Sequence, residues 1–134
     1  MMDDLAQIHQ LYADYSWTLD ERHYEEWLKC FTEDGVVEGP TFGRHAGHSE
    51  LRQFIAKYKA ASGMFQVRHV MSNVRVDIQG DSATGSCYVL HYRTHRGKTE
   101  LNAIGGYRDQ LRKVDGRWLF TDRQAFWDYS GSSA

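Results

Sequence analysis

Two residues far apart in the chain have the chemistry of a general base. His69 lies near the start of a β-rich segment, and Asp20 lies where the first predicted helix should end. A carboxylate that contacts an imidazole fixes the ring tautomer and raises its basicity, so such a pair could remove a proton near neutral pH. Sequence spacing alone favours a simpler interpretation, in which Asp20 caps the next helix and His69 has a structural role.

An arginine and a tyrosine could assist this base. Arg123 lies in the last predicted strand, and a guanidinium that faces a pocket would stabilise a developing oxyanion or enolate. The alternative for Arg123 is an ion pair with Glu100 or with a neighbour of Asp122. Tyr15 lies on the inward side of the first predicted helix. Its hydroxyl could donate to a substrate oxygen or be satisfied within the core.

Several aromatic and imidazole side chains are candidates for a substrate pocket. Aromatic residues make up 13% of the chain, which also contains 7 histidines. This is more ring surface than the core of a chain this small requires. Tyr107 follows Gly105 and Gly106, whose missing side chains leave room beside it. The candidate substrate-binding residues are His91, Tyr107, Trp17, Phe54 and Tyr88, with Phe65 and Trp127 as further ring-bearing candidates.

The sequence lacks the patterns of metal and nucleotide sites. His45 and His48 have a spacing that suits metal ligands, but no neighbouring Cys or second His motif completes a set. Cys30 and Cys87 are too few for a disulfide framework. No glycine-rich phosphate loop and no nucleophile-elbow motif is present. We therefore expect neither a metal site nor a cofactor.

Composition restricts the class of protein. The chain has 134 residues with 16 basic and 18 acidic side chains, and its formal net charge is −2. This balance lacks the basic excess of nucleic-acid-binding proteins, and no apolar run is long enough to span a membrane. The acidic start of the chain does not resemble a secretory signal. These features predict a reduced, cytoplasmic protein with a single domain over residues 1–134.

Periodicity predicts helices first and an antiparallel sheet afterwards. Apolar residues at three- and four-residue steps predict helices over 5–19, 24–31 and 50–62, the last with Ser49 as its N-cap. A turn is predicted at 32–35, and short extended pieces cover 36–37 and 41–45. A four-stranded meander is predicted over 67–78, 83–95, 100–114 and 117–127, followed by a flexible tail at 130–134. The fold class is α+β: a cone-shaped, curved antiparallel sheet with helices packed on its concave side, enclosing a pocket.

The first of these long strands contains a conflict. Under strict alternation, one face is shared by Val70, Val74, Val76 and Ile78. If that face points to the helices, His69 points away unless a β-bulge intervenes or its own face is buried against another subunit. Because an exposed apolar strand face forms a sticky patch, we expect a homo-oligomer, either a dimer or a trimer.

Short motifs in a characteristic order extend from residue 5 to residue 127. They are Leu11-Tyr12 with Leu19-Asp20, Trp27 with Cys30–Gly35, Gly47, His69 with Ser72-Asn73, Gly80–Ala83, Gly106–Asp109, and Asp115–Trp118 with Arg123. Their order and spacing resemble the SnoaL-like group of the nuclear transport factor 2-like superfamily. The resemblance implies the cone-shaped fold, and it is less specific for the reaction because this fold supports many functions.

The resemblance also implies roles for particular residues. Enzymes of the group include scytalone dehydratase, a bile-acid dehydratase, lindane dehydrochlorinase and polyketide cyclases. Its dehydratase-like members use a His–Asp pair, which matches His69 and Asp20 here. A tyrosine five positions before the aspartate matches Tyr15, and an arginine five positions after the tryptophan of the last hairpin matches Arg123. His91 falls near a pocket position that varies in the family. The family's histidine faces into the cone, which favours the bulge.

The implied activity is that of a cofactor-independent lyase. His69 would remove a proton beside an activating group while Asp20 holds the imidazole; Tyr15 and His91 would assist loss of a hydroxyl, and Arg123 would stabilise negative charge. We expect a small apolar, aromatic or polycyclic hydroxylated substrate that undergoes dehydration or retro-aldol C–C cleavage. The alternatives are an isomerase or cyclase that uses the same pair, and a non-catalytic ligand-binding protein or dioxygenase partner subunit.

Overall fold

The chain folds into three helices and one six-stranded sheet within residues 3–131, the part that the computed structural model describes. The helices are α1 (Asp4–Asp20), α2 (Tyr24–Leu28) and α3 (Gly47–Ser62). The strands are β1 (Phe31–Gly39), β2 (Gly43–Ala46), β3 (Gln66–Gln79), β4 (Ser82–His95), β5 (Lys98–Val114) and β6 (Arg117–Ser130). The predicted α+β class is confirmed.

The curved sheet is larger than the predicted meander. Its strand order is β2-β1-β6-β5-β4-β3, and every neighbouring pair is antiparallel except β1 and β6, which are parallel. The turn predicted at 32–35 is wrong, because these residues belong to β1. The pairing of β1 with β6 is irregular between Phe31 and Val36. This irregularity explains why no alternating pattern marks the strand in the sequence.

Several element ends differ from expectation. Helix α2 ends at Leu28 rather than at residue 31, and α3 begins at Gly47, ahead of the predicted N-cap Ser49. The predicted flexible tail is wrong at its start, because Ser130 belongs to β6 and the Gly131 N–H donates to the Asn102 carbonyl at 2.6 Å. Residues 132–134 lie outside the described residues. None of the described helices combines the length and apolar character needed to cross a bilayer.

The core lies between the sheet and helices α1 and α3. Helix α1 contributes the buried residues Ile8, Leu11, Tyr12, Tyr15 and Leu19. Residues of α3 and of the strands complete the same cluster. Burial of each large apolar side chain contributes about 1.5–3 kcal/mol, so this cluster holds the helices against the concave face.

A β-bulge in β3 resolves the conflict in its side-chain pattern. The pairing of β3 with β4 shifts between Ser72 and Arg75, and Asn73 has a φ of 56°. Asn tolerates this left-handed conformation better than most residues. Before the bulge, His69 is buried and Val70 is exposed; after it, Val74, Val76 and Ile78 are partly buried against the core. The bulge therefore lets the imidazole and the later apolar residues share the inner face.

The outer face of the sheet carries an apolar row across four strands. Val70 pairs with Leu90, Leu90 with Ile104, and Ile104 with Tyr129, so these side chains share one face. Val70, Ile104 and Tyr129 are 46%, 37% and 54% exposed. The face opposite the helices thus presents apolar surface to the surroundings.

Candidate active site

Asp20 and His69 form a buried hydrogen-bonded pair. Asp20 Oδ1 lies 2.6 Å from His69 Nδ1, and Asp20 Oδ2 accepts a 2.8 Å hydrogen bond from the His69 backbone N–H. Their side chains are 5% and 6% exposed. Since an ionised carboxylate only accepts, His69 Nδ1 carries the proton and Nε2 presents its lone pair. The interpretation of Asp20 as the cap of α2 is wrong, because the N-cap residue of α2 is His23.

The pair is positioned by the end of α1 and the start of β3. Asp20 is the last residue of α1, and its backbone carbonyl accepts a 3.1 Å hydrogen bond from Gln66 Nε2. The side chain of Asp20 then reaches both the backbone and the ring of His69. The carboxylate is thus held by two donors from one residue, which fixes both the strand and the imidazole.

A cavity of about 270 Å³ lies beside the imidazole. Its buried lining includes Tyr15, Leu19 and Tyr107, whereas Thr41 and Lys57 are exposed and mark its mouth. Most of the wall is aromatic or aliphatic, as is usual for a small-molecule site. The lining residues are Tyr15, Leu19, Thr41, Phe42, His45, Phe54, Lys57, Tyr58, Ala61, His69, Tyr107 and Trp127. The structure therefore brings together His69 and the predicted Tyr15, Phe54, Tyr107 and Trp127.

Tyr15 lines this cavity with a protonated hydroxyl. Burial raises the pKa of Tyr15 to about 12, against the lowering effects of the Arg123 cation and of a hydrogen bond from Tyr107. Burial also raises the pKa of Tyr107 well above its usual value. Both phenols are therefore neutral near pH 7. The Tyr15 hydroxyl therefore has a proton to donate to a ligand in the cavity.

Arg123 does not line the cavity, which corrects the expectation that its guanidinium faces a pocket. It is fully buried, and its Nε and Nη2 donate to Asp109 at 2.8 and 3.1 Å. Tyr12 also donates to Asp109, at 2.6 Å. Burial acts to lower the pKa of Arg123, but the Asp109 charge outweighs it and the pKa is raised. The guanidinium carbon lies 4.3 Å from the Tyr15 ring centroid and 3.8 Å from that of Tyr107, so it reaches the cavity only through these rings.

His91 contacts His69 but is not among the residues that line the cavity. The two imidazole rings pack edge to face, with centroids 4.7 Å apart. The side-chain nitrogen of Asn102 lies 3.3 Å from His91 Nδ1 and donates to it, so Nε2 carries the His91 proton. Burial, together with the charges of His69 and Arg93, lowers the pKa of His91 to about 3. His91 is therefore a neutral support for the His69 ring.

His91 makes the fold sensitive to acid. Because its pKa falls from 6.5 to about 3 on folding, its contribution to stability is complete above about pH 6.5 and is lost as the pH falls towards about 3. At pH 5 this loss amounts to about 2 kcal/mol. We expect His91→Asn, which keeps an acceptor for Asn102, to reduce the decline in the free energy of unfolding between pH 7 and pH 5. Urea denaturation at pH 7 and at pH 5 measures this decline. An unchanged decline in the variant would contradict the assignment of the acid sensitivity to His91.

Trp17 and Tyr88, both predicted to bind substrate, do not line this cavity. Trp17 is 65% exposed, and Tyr88 is 59% exposed. Trp17 belongs to a surface groove between α1 and β3 that reaches Asp20 and His69 from another side. Tyr88 follows the buried Cys87 in β4, and alternation places it on the outer face of the sheet. Aromatic content alone therefore did not distinguish cavity residues from surface residues.

Four polar lining residues were not predicted as part of the site: Thr41, His45, Lys57 and Tyr58. His45 is buried, and Lys57 and Tyr58 follow Phe54 on α3. Phe54, Lys57, Tyr58 and Ala61 recur at three- and four-residue steps, which is the spacing of one helix face. One signal in the sequence could have identified Lys57. It is the only charged residue on a helix stripe whose other residues are apolar or aromatic.

The described residues contain no arrangement suited to a metal ion. Within residues 3–131, no three His, Cys, Asp or Glu side chains are grouped to hold one. His45 lines the cavity, whereas His48 Nε2 lies 3.3 Å from the Phe31 carbonyl oxygen. The two histidines whose spacing suits metal ligands therefore have separate surroundings.

The fold and the site define a class: an α+β protein with a curved sheet and a cavity next to a buried His–Asp pair. The SnoaL-like domain family matches residues 1–124, and the chain belongs to this family. Among curated proteins, it is 28% identical over 126 residues to the uncharacterised protein Rv2910c of Mycobacterium tuberculosis. That match covers 91% of this chain and 84% of the relative.

Solved structures share the fold. An NTF2-like protein with a cystatin-like fold from Novosphingobium aromaticivorans has a TM-score of 0.84 at 21% identity, covering 93% of this chain and 82% of that protein. A protein from Catenulispora acidiphila in complex with S-DNPA has a TM-score of 0.84 at 25% identity, covering 92% of both chains. The resemblance to the SnoaL-like group is confirmed by the family match, and these structures share its fold.

Proposed function

We propose that this protein is a cofactor-independent lyase that eliminates water from a small apolar, hydroxylated substrate. The observation that carries the proposal is the buried 2.6 Å contact between Asp20 and His69, next to a cavity with largely aromatic walls. Such a contact produces a general base whose free nitrogen has a defined orientation. The catalyst has only to move one proton and to donate a hydrogen bond to the departing hydroxide, and His69 and Tyr15 can do this without a cofactor.

In the proposed reaction, His69 Nε2 removes a proton from a carbon next to an activating carbonyl. The electrons of that C–H bond form a C=C bond as the neighbouring C–O bond breaks, and Asp20 stabilises the imidazolium. The departing hydroxide takes the proton back from the imidazolium while Tyr15 donates a hydrogen bond to it. Water leaves, and His69 returns to its neutral form. General acid–base catalysis of this kind contributes roughly 10²- to 10⁴-fold.

We assign Arg123 to positioning rather than to contact with substrate. Its cation lies 4.3 Å from the Tyr15 ring centroid and opposes the rise in the Tyr15 pKa that burial causes. Because Arg123 keeps the Tyr15 pKa lower than burial alone would, the Tyr15 hydroxyl is a stronger hydrogen-bond donor to developing negative charge. The charge of Arg123 would thus act through Tyr15.

Mass spectrometry of reaction mixtures tests the proposal. The purified protein is incubated in D₂O with aromatic β-hydroxy ketones, and a product lighter by one water supports a dehydratase. Two fragments indicate retro-aldol cleavage, in which the base removes a hydroxyl proton instead. A product of unchanged substrate mass, apart from deuterium, indicates an isomerase or cyclase. If every ketone binds and none reacts, the non-catalytic alternatives replace the lyase.

The ligand complex of the Catenulispora acidiphila protein supports a small molecule as the partner of this cavity. That protein is 25% identical to this chain, and its structure contains the ligand S-DNPA. The lining of the cavity here favours a ring-bearing ligand, because aromatic side chains pack well against rings. We therefore propose an aromatic or polycyclic substrate.

We also propose that the chain forms a homo-oligomer through the apolar row Val70, Leu90, Ile104 and Tyr129. A second copy would cover the exposed apolar surface, and a two-fold axis would place the same row on both sides. We expect light scattering after size-exclusion chromatography to give a mass above the 15.5 kDa of one chain. The double variant Val70→Lys/Ile104→Lys should be a monomer. The control variant Gln110→Lys, which lies outside the apolar row, should keep the mass of the wild-type oligomer. A wild-type monomer at high concentration would contradict the proposal.

A further inference from the structure

The mouth of the cavity carries a cation without an acidic partner. Lys57 is the only Asp, Glu, Lys or Arg among the residues that line the cavity. Nine ion pairs join lysine, arginine or histidine side chains to acidic ones elsewhere in the described chain, besides the Asp20–His69 pair, and Lys57 takes part in none of them. Its ammonium also has no hydrogen bond to the residues between 3 and 131. An unpaired cation at the edge of a cavity that has no other lysine, arginine or acidic residue in its lining attracts an anionic group.

Two further polar groups of the same cavity lack partners. His45 Nδ1 and the Tyr58 hydroxyl are buried and have no hydrogen bond within the described chain. Buried polar atoms are nearly always hydrogen-bonded, so each such atom calls for an explanation. Burial lowers the pKa of His45, as does the nearby charge of Lys57, and burial raises the pKa of Tyr58. Near pH 7 His45 is therefore neutral and Tyr58 is protonated, and each can donate one hydrogen bond.

The rings of the lining connect this polar end to the His–Asp pair. His45 contacts Phe54 at a centroid distance of 5.4 Å, and Phe54 stacks with Tyr58 at 6.0 Å. Tyr58 in turn lies 6.3 Å from His69. An apolar wall thus separates two polar ends, one with the base and one with the cation.

From this arrangement we infer that the substrate is an amphipathic acid: a ring system whose carboxylate binds to Lys57 at the mouth, with His45 beside it. The rings lie along Phe54, and the reacting carbon lies next to His69. The inference rests on the proposed function only in taking this cavity as the substrate site. The alternative for Lys57 is a solvated surface side chain with no role in binding.

Calorimetric titration with two matched probes tests the inference. The probes are 2-naphthoate and 2-naphthamide, which have similar shape and differ in charge, and both are titrated at pH 7.5 and low salt. We expect the wild-type protein to bind the naphthoate about 10-fold more tightly than the amide, a factor typical of one charge-assisted hydrogen bond. Lys57→Gln should remove most of that preference while leaving the affinity for the amide within about twofold.

Lys59→Gln is the matched control, because Lys59 is exposed on the same helix but does not line the cavity. This variant should keep the full preference for the naphthoate. The inference is overturned if Lys57→Gln retains the preference, if Lys59→Gln loses it equally, or if the wild-type protein does not bind the naphthoate. Binding needs no turnover, so the two proposals can fail separately. If the wild-type protein prefers the naphthoate but eliminates water from none of the ketones, the lyase proposal fails and this inference stands.

Discussion

Replacing His69 by alanine is expected to reduce turnover of the substrate by roughly 10²- to 10⁴-fold, because the general base is lost. Substrate binding should change much less, since the remaining walls of the cavity stay in place. Steady-state rates and binding constants, measured side by side, check both statements. His23→Ala is the control, because His23 is exposed and its side chain makes no capping hydrogen bond. Wild-type rates in His69→Ala would refute the role of the pair.

Asp20→Asn tests the other half of the pair, with an added structural cost. Asp20 accepts from both the ring and the backbone of His69, and an amide has only one accepting oxygen for these two donors. We expect turnover to fall by a similar factor, together with a loss of about 1–3 kcal/mol of stability from the unsatisfied donor. Nitrogen NMR of the imidazole gives a readout that a stability defect alone would not produce. In the wild type the proton resides on Nδ1, and in the variant that preference should weaken.

Asp109→Ala is expected to cause the largest loss of stability, about 3–5 kcal/mol, because it leaves the Arg123 guanidinium buried without its anion. Asp109 and Arg123 are both fully buried at the side chain, and the Tyr12 hydroxyl would lose its acceptor as well. Urea denaturation monitored by tryptophan fluorescence measures the change. Where the single variant does not fold, the double variant Asp109→Leu/Arg123→Met keeps the test open, since it removes both charges and should recover much of the stability.

Glu21→Ala is the matched control for that experiment. Glu21 pairs with Arg68 at 2.9 Å, but both side chains are exposed by 40% or more. Solvent screens exposed pairs, so this variant should lose far less stability than Asp109→Ala. Comparable losses in the two variants would show that burial of the Asp109–Arg123 pair is not what makes it important.

The site could be predicted from the sequence only in part. His69 and Asp20 were found because a family pattern linked two residues that spacing alone did not connect. Arg123 was identified as important, yet its partner Asp109 and its burial behind Tyr15 depend on how β5 and β6 pair. Trp17 and Tyr88 were assigned to the cavity from their type, although one inward stripe on α1 and alternation along β4 place both outside. The residue type of Lys57 does not indicate a cavity, because a charged residue on a helix is usually solvated.

By itself, the sequence determined the α+β class, the three helices and the four long strands of the meander that follow them. These depend on local periodicity, and neighbouring residues suffice to specify it. Tertiary structure alone decided that β1 lies parallel to β6, that the bulge at Ser72 and Asn73 turns His69 inward, and that Arg123 is paired within the core. Each depends on contacts between residues remote in the chain, whose free energies arise only once the sheet and the helices pack together.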